Sequence, residues 1–288
     1  MGLKRAIRKV AKFIVASQPT KMVKVEVSQI SYGGIMENKT AVITGGGSGL
    51  GLAIAKKLVS EGAKVVISGR NEKKLKNACK NMGEKAQYIV FDVCEVDKAT
   101  DFIVECEQKL GTKIDFLVSN AGLSLHENIF TNVTVDGFDR QFNTNYRGNY
   151  FLCKAFLEKK LEEENPLGEL LVITSESADQ AYDIPYGMTK AGLNSMIRAM
   201  SRRVYKSGIR VNGIAPGVTQ SDMTKEYADV SDGNMYRDCA SDRVFKPEEV
   251  AEVACFILSD AAKCISGEII HTNGGNHIKA FWDKSDDK

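Results

Sequence analysis

Tyr186 and Lys190 stand four residues apart in Tyr186-Gly187-Met188-Thr189-Lys190, the spacing that puts two side chains on one face of a helix. A phenol titrates near ~10 and relays protons poorly at neutral pH, but an ammonium beside it favours the phenolate and moves the group toward the working range. Tyr186 is thus a candidate general acid/base and Lys190 the residue expected to lower its pKa. Upstream, Thr174-Ser175-Glu176-Ser177 supplies hydroxyls. Ser175, at the end of an apolar run, is suited to hydrogen-bond a substrate oxygen on which negative charge builds; Ser177 is the alternative. An isolated Tyr-x-x-x-Lys is usually only a surface pair on a helix, so its meaning depends on what accompanies it.

A second constellation lies near the start of the chain, where the apolar run Thr40–Thr44 enters Gly45-Gly46-Gly47-Ser48-Gly49-Leu50-Gly51 and then a helical pattern. Gly45 permits a tight turn, Gly49 lets backbone approach a pyrophosphate, and Gly51 lets the helix pack closely. The unpaired N–H groups and dipole of that helix start favour an anion, so a dinucleotide is expected here. At the end of the next apolar run, Ile67-Ser68-Gly69-Arg70-Asn71 offers no carboxylate for a ribose 2′-hydroxyl. Gly69 leaves room for a 2′-phosphate and Arg70 can pair with it, which favours NADP(H) over NAD(H); the alternative is that Arg70 caps a surface loop. Asp92, before Val93, is suited either to an adenine amino group or to capping the next helix.

The elements needed to hold these residues are legible as short apolar runs alternating with helical spacing. The runs are Thr40–Thr44, Ala63–Ser68, Gln87–Asp92, Ile114–Ser119, Leu170–Thr174, Ile209–Ile214 and Glu268–Thr272. Leu52, Ala55 and Leu58, and later Leu193, Met196, Ile197 and Met200, carry the helical spacing between them. Runs of this kind suit parallel strands buried on both faces. They predict an α/β protein with a Rossmann-type doubly wound parallel sheet, three layers and a single domain. The composition agrees: 288 residues, 43% hydrophobic, net charge +2, which argues against disorder, while no run reaches the ~18 apolar residues of a spanning helix. Seven dispersed cysteines without a Cys-x-x-Cys suggest free thiols in a reducing compartment, hence a cytoplasmic protein. His126, His271 and His277 are scattered, and no metal is expected.

Together these motifs resemble the short-chain dehydrogenase/reductase family, from about residue 38 to 278. Thr44, Gly45, Gly49 and Gly51 match its glycine element, and Ser119-Asn120-Ala121-Gly122 its Asn-Asn-Ala-Gly element with Ser119 replacing the first Asn. Asn145 matches the helix asparagine that binds a water of the proton relay. Ser175, Tyr186 and Lys190 match the catalytic Ser, Tyr and Lys, with Ser175 eleven positions before Tyr186, closer than in many members. Pro216-Gly217 matches the element closing over a nicotinamide, with Thr219 offering an amide to its carboxamide and Ser221 standing where a Thr is common. The resemblance implies hydride transfer between a carbonyl and a secondary alcohol. Asn145, Ser175, Tyr186 and Lys190 would be catalytic. The cofactor would lie along Gly45, Gly47, Ser48, Gly49, Leu50, Gly51, Arg70, Asn71, Asp92, Val93, Asn120, Ala121, Gly122, Pro216, Gly217, Thr219 and Ser221, with Tyr186 and Lys190. It also implies a homodimer or homotetramer through the helices carrying Asn145 and Tyr186. The alternatives are a 3-oxoacyl-thioester or steroid reductase of the same family, or a non-catalytic dinucleotide-binding sensor or scaffold.

Two segments lie outside that reasoning. Between Pro216-Gly217 and Pro247, a lid carries Asp229, Asp232, Arg237, Asp238 and Asp242 beside few apolar anchors, Met223, Tyr227, Met235 and Tyr236 among them. This tilts the expected substrate toward a polar or sugar-derived one, unless the charges simply face solvent. At the N-terminus, seven cations (Lys4, Arg5, Arg8, Lys9, Lys12, Lys21, Lys24) precede the first acid, Glu26, and Leu3, Ile7, Val10, Ala11 and Ile14 recur at helical spacing. An amphipathic helix there would make weak membrane-surface contact, or pack on its own domain or a neighbouring subunit, or fray. No nucleic-acid motif follows it. The expected organisation is a basic extension over 1–36, a catalytic domain over 37–280 and a charged tail over 281–288.

Overall fold

The computed structural model describes residues 22–27, 29–225 and 234–278. The amphipathic pattern of 1–21, the lid stretch with Tyr227, Asp229 and Asp232, and the tail at 281–288 lie outside them. Seven parallel strands form one sheet: β1 (Thr40–Thr44), β2 (Lys64–Gly69), β3 (Ala86–Val90), β4 (Phe116–Ser119), β5 (Gly168–Ile173), β6 (Ile209–Pro216) and β7 (Ile269–Thr272). Their spatial order is β3-β2-β1-β4-β5-β6-β7. Every predicted strand is present. The ends shift by one or two residues; β6, for example, runs past Ile214 because Ala215 and Pro216 stay in register with His271 and Thr272 of β7.

The helices are α1 (Gly49–Ser60), α2 (Glu72–Met82), α3 (Ala99–Leu110), α4 (Val135–Gln141), α5 (Asn149–Leu161), α6 (Pro185–Val204) and α7 (Pro247–Leu258), with a π-helical stretch at Phe142–Gly148 joining α4 to α5. Alternation along the strands sorts them into layers. Ala41, Ile43, Val65 and Ile67 pack with Ile54 and Leu58 of α1, Leu75 of α2 and Val250 and Ala254 of α7. Val42, Val66 and Leu117 pack on the opposite face with Phe102 of α3, Phe156 of α5 and Ile197 of α6. Both sheet faces are thus buried, which explains the uninterrupted apolar runs. The chain order reverses between β1 and β4, and the crevice at their carboxyl ends is where this topology opens a ligand site.

The described part of the N-terminal arm packs on this body. Met36 is fully buried and its N–H donates to Glu61 O at 3.0 Å. The Glu61 carboxylate accepts from the N–H groups of Tyr32 and Gly34 at 3.1 to 3.3 Å. Lys57 donates to Ile30 O and pairs with Glu61 at 3.1 Å and Glu252 at 3.0 Å. Burial alone would lower the Lys57 pKa; the two carboxylates outweigh it and raise it. Further up, Met235 N donates to Val23 O at 3.1 Å and Lys246 Nζ to Val25 O at 2.7 Å, and Val25 packs on Met235 and Val244. The arm therefore reaches the lid.

Candidate active site

The turn after β1 is assembled around Thr44. Its hydroxyl accepts from the N–H groups of Asn120 and Ala121, both at 3.0 Å, and the Asn120 amide donates to Thr44 O at 2.8 Å. These bonds stitch the glycine turn to the loop after β4. Gly45 has φ +67°, and a Cβ there would lie 2.8 Å from Asn120 Nδ2. A Cβ on Gly51 would lie 2.6 Å from Gly45 O. Side chains are excluded by backbone, and an open cradle remains at the start of α1, whose first N–H groups point into it.

From this cradle a groove runs in two directions. One end, about 220 Å³, is lined by Gly47, Ser48, Gly69, Arg70, Asn71, Asp92 and Val93. The other, about 390 Å³, is lined by Gly49, Leu50, Asn120, Gly122, Ser175, Tyr186, Lys190, Pro216, Gly217, Thr219 and Ser221. Of the expected site residues, Gly51 and Asn145 alone do not line it. Gly51 packs beneath the turn. Asn145 lies fully buried in the π-helical stretch, where its amide clamps the backbone of Leu123 through two 2.8 Å bonds and also donates to Thr189 of α6 at 3.4 Å. Its side chain thus shapes the loop after β4 and ties it to the helix carrying Tyr186.

At the Arg70 end, Asp92 makes two contacts and caps no helix, the next N-caps being Glu95 and Lys98. One oxygen accepts from Cys94 N at 3.0 Å; the other lies 4.0 Å from the Arg70 guanidinium. Asn71 caps α2 by accepting from Lys74 N at 3.0 Å. Lys74 itself lines both parts of the groove, and its ammonium pairs with Asp222 across the opening at 2.8 Å. The pair lowers the Asp222 carboxyl pKa, through the hydrogen bond first and the charge second. Sequence reasoning missed Lys74. The only signal was a cation in the first turn after the Asn71 cap, and Gly47 brings it close by resting against α2, with 3.4 Å from an added Cβ to Lys74 Cβ.

The other end holds the candidate catalytic groups. Ile184 precedes α6 in extended conformation and Pro185 opens the helix, so Tyr186 and Lys190 fall one turn apart facing β5. Ser175 follows β5 and accepts from Ser177 N at 3.2 Å and Ser177 Oγ at 3.0 Å, while its own hydroxyl bonds the Tyr186 phenol. Both serines line the cavity beyond, but of the two only Ser175 also lines the groove, and Ser177 is buried and donates to it. Burial raises the Tyr186 pKa, and the bond from Ser175 pulls it back. Lys190 was expected to do that lowering. Its ammonium instead donates to Ile173 O at 3.0 Å and lies 5.7 Å from the Tyr186 ring centre, and burial pushes its own pKa down to about 8. A charge so expensively buried lacks an anionic neighbour to hold it.

Two of the three histidines come together, while His126 stays apart beside Ser124. His271 and His277 stack at 3.6 Å, and His271 pairs with Asp179 at 2.8 Å, beside the lid. Burial and the neighbouring His271 lower the His277 pKa. Among the described residues no three His, Cys, Asp or Glu are grouped to hold a metal ion, and the seven cysteines are unpaired. No helix there is long and apolar enough to cross a membrane.

Comparison with known proteins matches residues 45–277 to the family model described as enoyl-(acyl carrier protein) reductase. This chain belongs to the short-chain dehydrogenase/reductase family. An uncharacterized oxidoreductase of Bacillus subtilis is 32% identical over 84% of this chain and 92% of its own length. The 3-oxoacyl-[acyl-carrier-protein] reductase of Salmonella typhimurium is 29% identical over 84% and 98%. Among solved structures, a 3-ketoacyl-(acyl-carrier-protein) reductase of Brucella melitensis complexed with NADH superposes with a TM-score of 0.75 at 27% identity, covering 84% of this chain and all of that one. As a member of this family the chain is an oxidoreductase that works between CH–OH and carbonyl groups with an NAD(P) cofactor.

Proposed function

We propose that the protein interconverts a carbonyl compound and a secondary alcohol with Tyr186 as general acid/base. The hydroxyl chain Ser177, Ser175, Tyr186, aimed at the junction of groove and cavity, carries this reading. The glycine cradle fits a dinucleotide, because Gly45 and Gly51 let the turn close tightly on Asn120 and on α1, leaving the first N–H groups of that helix open to a pyrophosphate. Asp92 would hold the adenine, Lys190 the ribose next to the nicotinamide, and Pro216, Gly217, Thr219 and Ser221 the ring. When bound in its reduced form, the cofactor supplies a hydride to the carbonyl carbon and is oxidised as the carbonyl becomes an alcohol. With substrate bound, the Ser175 hydroxyl turns its one hydrogen from the Tyr186 phenol to the substrate oxygen and stabilises charge growing on it. Tyr186 gives that oxygen its proton and is reprotonated from solvent. Asn145 keeps the loop after β4 and α6 in register beneath these groups.

Arg70 and Lys74, two cations flanking Gly47 and Ser48, support NADP(H) over NAD(H), since a 2′-phosphate would lie between them. Tyr150 and Phe151, exposed on α5 in edge-to-face contact, support a homodimer or homotetramer through that face. Free thiols support a cytoplasmic setting. The test is Tyr186→Phe, expected to cut turnover by about 10²–10⁴-fold with cofactor affinity retained. Turnover equal to wild type would remove Tyr186 from the chemistry.

A further inference from the structure

The cavity beyond Ser175 and Tyr186 encloses about 470 Å³, and its walls are not those of a hydrocarbon slot. Glu176, from the loop after β5, and Arg237, from the lid, both line it. Glu176 Oε2 and Arg237 Nη1 are each buried without a hydrogen-bond partner. Asn276 and Asn273 stand beside the carboxylate, Arg237 and His271 act on it through charge, and Asn273 Nδ2 is likewise buried without a partner. Burial raises the Glu176 pKa, and these neighbours pull it back.

An open acceptor and an open donor in one cavity define what completes them. A carboxylate or phosphate on the ligand would suit Arg237 and set a like charge against Glu176; a cationic ligand reverses the conflict. An acyl or steroid chain would leave both groups desolvated and unpaired. A hydroxyl both donates and accepts, so a neutral ligand bearing several of them satisfies the two together. Ser124, Gln180 and Asn276 extend the polar wall. We infer that this cavity takes a small polyhydroxylated ketone, or the corresponding polyol in the reverse direction. Its reacting carbon lies at Ser175 and Tyr186, and its distal hydroxyls pair with Glu176 and Arg237. The inference rests on the carbonyl–alcohol reading and adds the substrate class.

The test compares dihydroxyacetone, erythrulose and ribulose with acetone, 2-butanone and 2-pentanone of equal chain length, and with an acetoacetyl thioester, following NADPH absorbance. The hydroxylated ketones should exceed their deoxy counterparts by at least about ten-fold in kcat/KM. In Arg237→Met and Glu176→Gln that ratio should fall toward one, chiefly through KM for the hydroxylated ketone, with NADPH affinity by fluorescence unchanged as evidence of folding. Arg237→Lys, which keeps the charge and loses the planar fork, serves if the methionine variant does not fold. Preference for the deoxy ketones or the thioester, or an unchanged ratio in both variants, overturns the inference and leaves the carbonyl reading standing. No turnover of any of these compounds, or of sorbitol and ribitol with NADP, by wild type that binds NADPH overturns both.

Discussion

Along the groove from Arg70 to Lys190 the chain sets glycine turns, strand ends and the first N–H groups of α1 at the centre, with side chains at either end. The cavity beyond Ser175 is walled by side chains from the loop after β5 and from the lid, and two of its polar atoms are left open. The groove recognises a feature common to all dinucleotides, a pyrophosphate, by geometry that a single methyl would spoil. The cavity recognises an individual molecule, by groups that could be exchanged without disturbing the sheet. Reaction type and substrate choice thus reside in physically separate parts of one fold, joined at Ser175 and Tyr186.

Breaking the groove should have the largest consequence. Gly51→Val would drive a side chain into Gly45 O, 2.6 Å from the Cβ position. NADPH binding, measured by fluorescence quenching, should disappear, and overpacking should lower stability by about 1–3 kcal/mol in a denaturant titration. Retained NADPH affinity would show that the helix does not need that close approach. Arg70→Ala tests the groove's one selective end. Hydrogen bonds to charged groups contribute about 1.5–3 kcal/mol, so NADPH affinity should drop about 10–100-fold while NADH affinity stays level. Equal losses for both cofactors would take Arg70 away from the 2′-phosphate.

The smallest effect probes the junction. Alcohol oxidation needs the Tyr186 phenolate, and the Ser175 hydroxyl lowers the phenol's pKa by donating to it. In Ser175→Ala the pKa should rise, so the alkaline rise of the oxidation rate, read from a kcat/KM–pH profile that reports the free enzyme, should move to higher pH. A profile displaced to lower pH, or unmoved, would mean that the serine acts on substrate alone.

The same contrast governs what could be read from the linear chain. The strands, the cradle and the Tyr186–Lys190 turn were legible because each is local: alternation, glycine spacing and an i, i+4 pair are written within a dozen residues. Lys74 was not legible at the groove, nor Glu176 and Arg237 at one cavity, because only the folded sheet carries α2 to the first and the loop after β5 and the lid to the second. The balance of charges at Tyr186 was hidden for another reason. Spacing gives proximity of Lys190 but not its burial, and burial turned the lysine from a donor of charge into a group whose own charge is penalised. The pairing of His271 with His277 was hidden because the two bracket a turn, Asn273 to Asn276, that folds one ring onto the other.

The arm carries a practical consequence. A recombinant fragment trimmed to the family match would begin at residue 45 and so lose β1. Even one trimmed back to Asn38 would strip from Glu61 the N–H groups of Tyr32 and Gly34, and from Lys57 the carbonyl of Ile30. It would also free Met235 and Lys246 from Val23 and Val25, loosening the mount of Arg237 on the opposite side of the lid. Residues that precede the family match thus brace the lid that carries Arg237, and a faithful shorter version of this protein keeps the chain from Met22 onward.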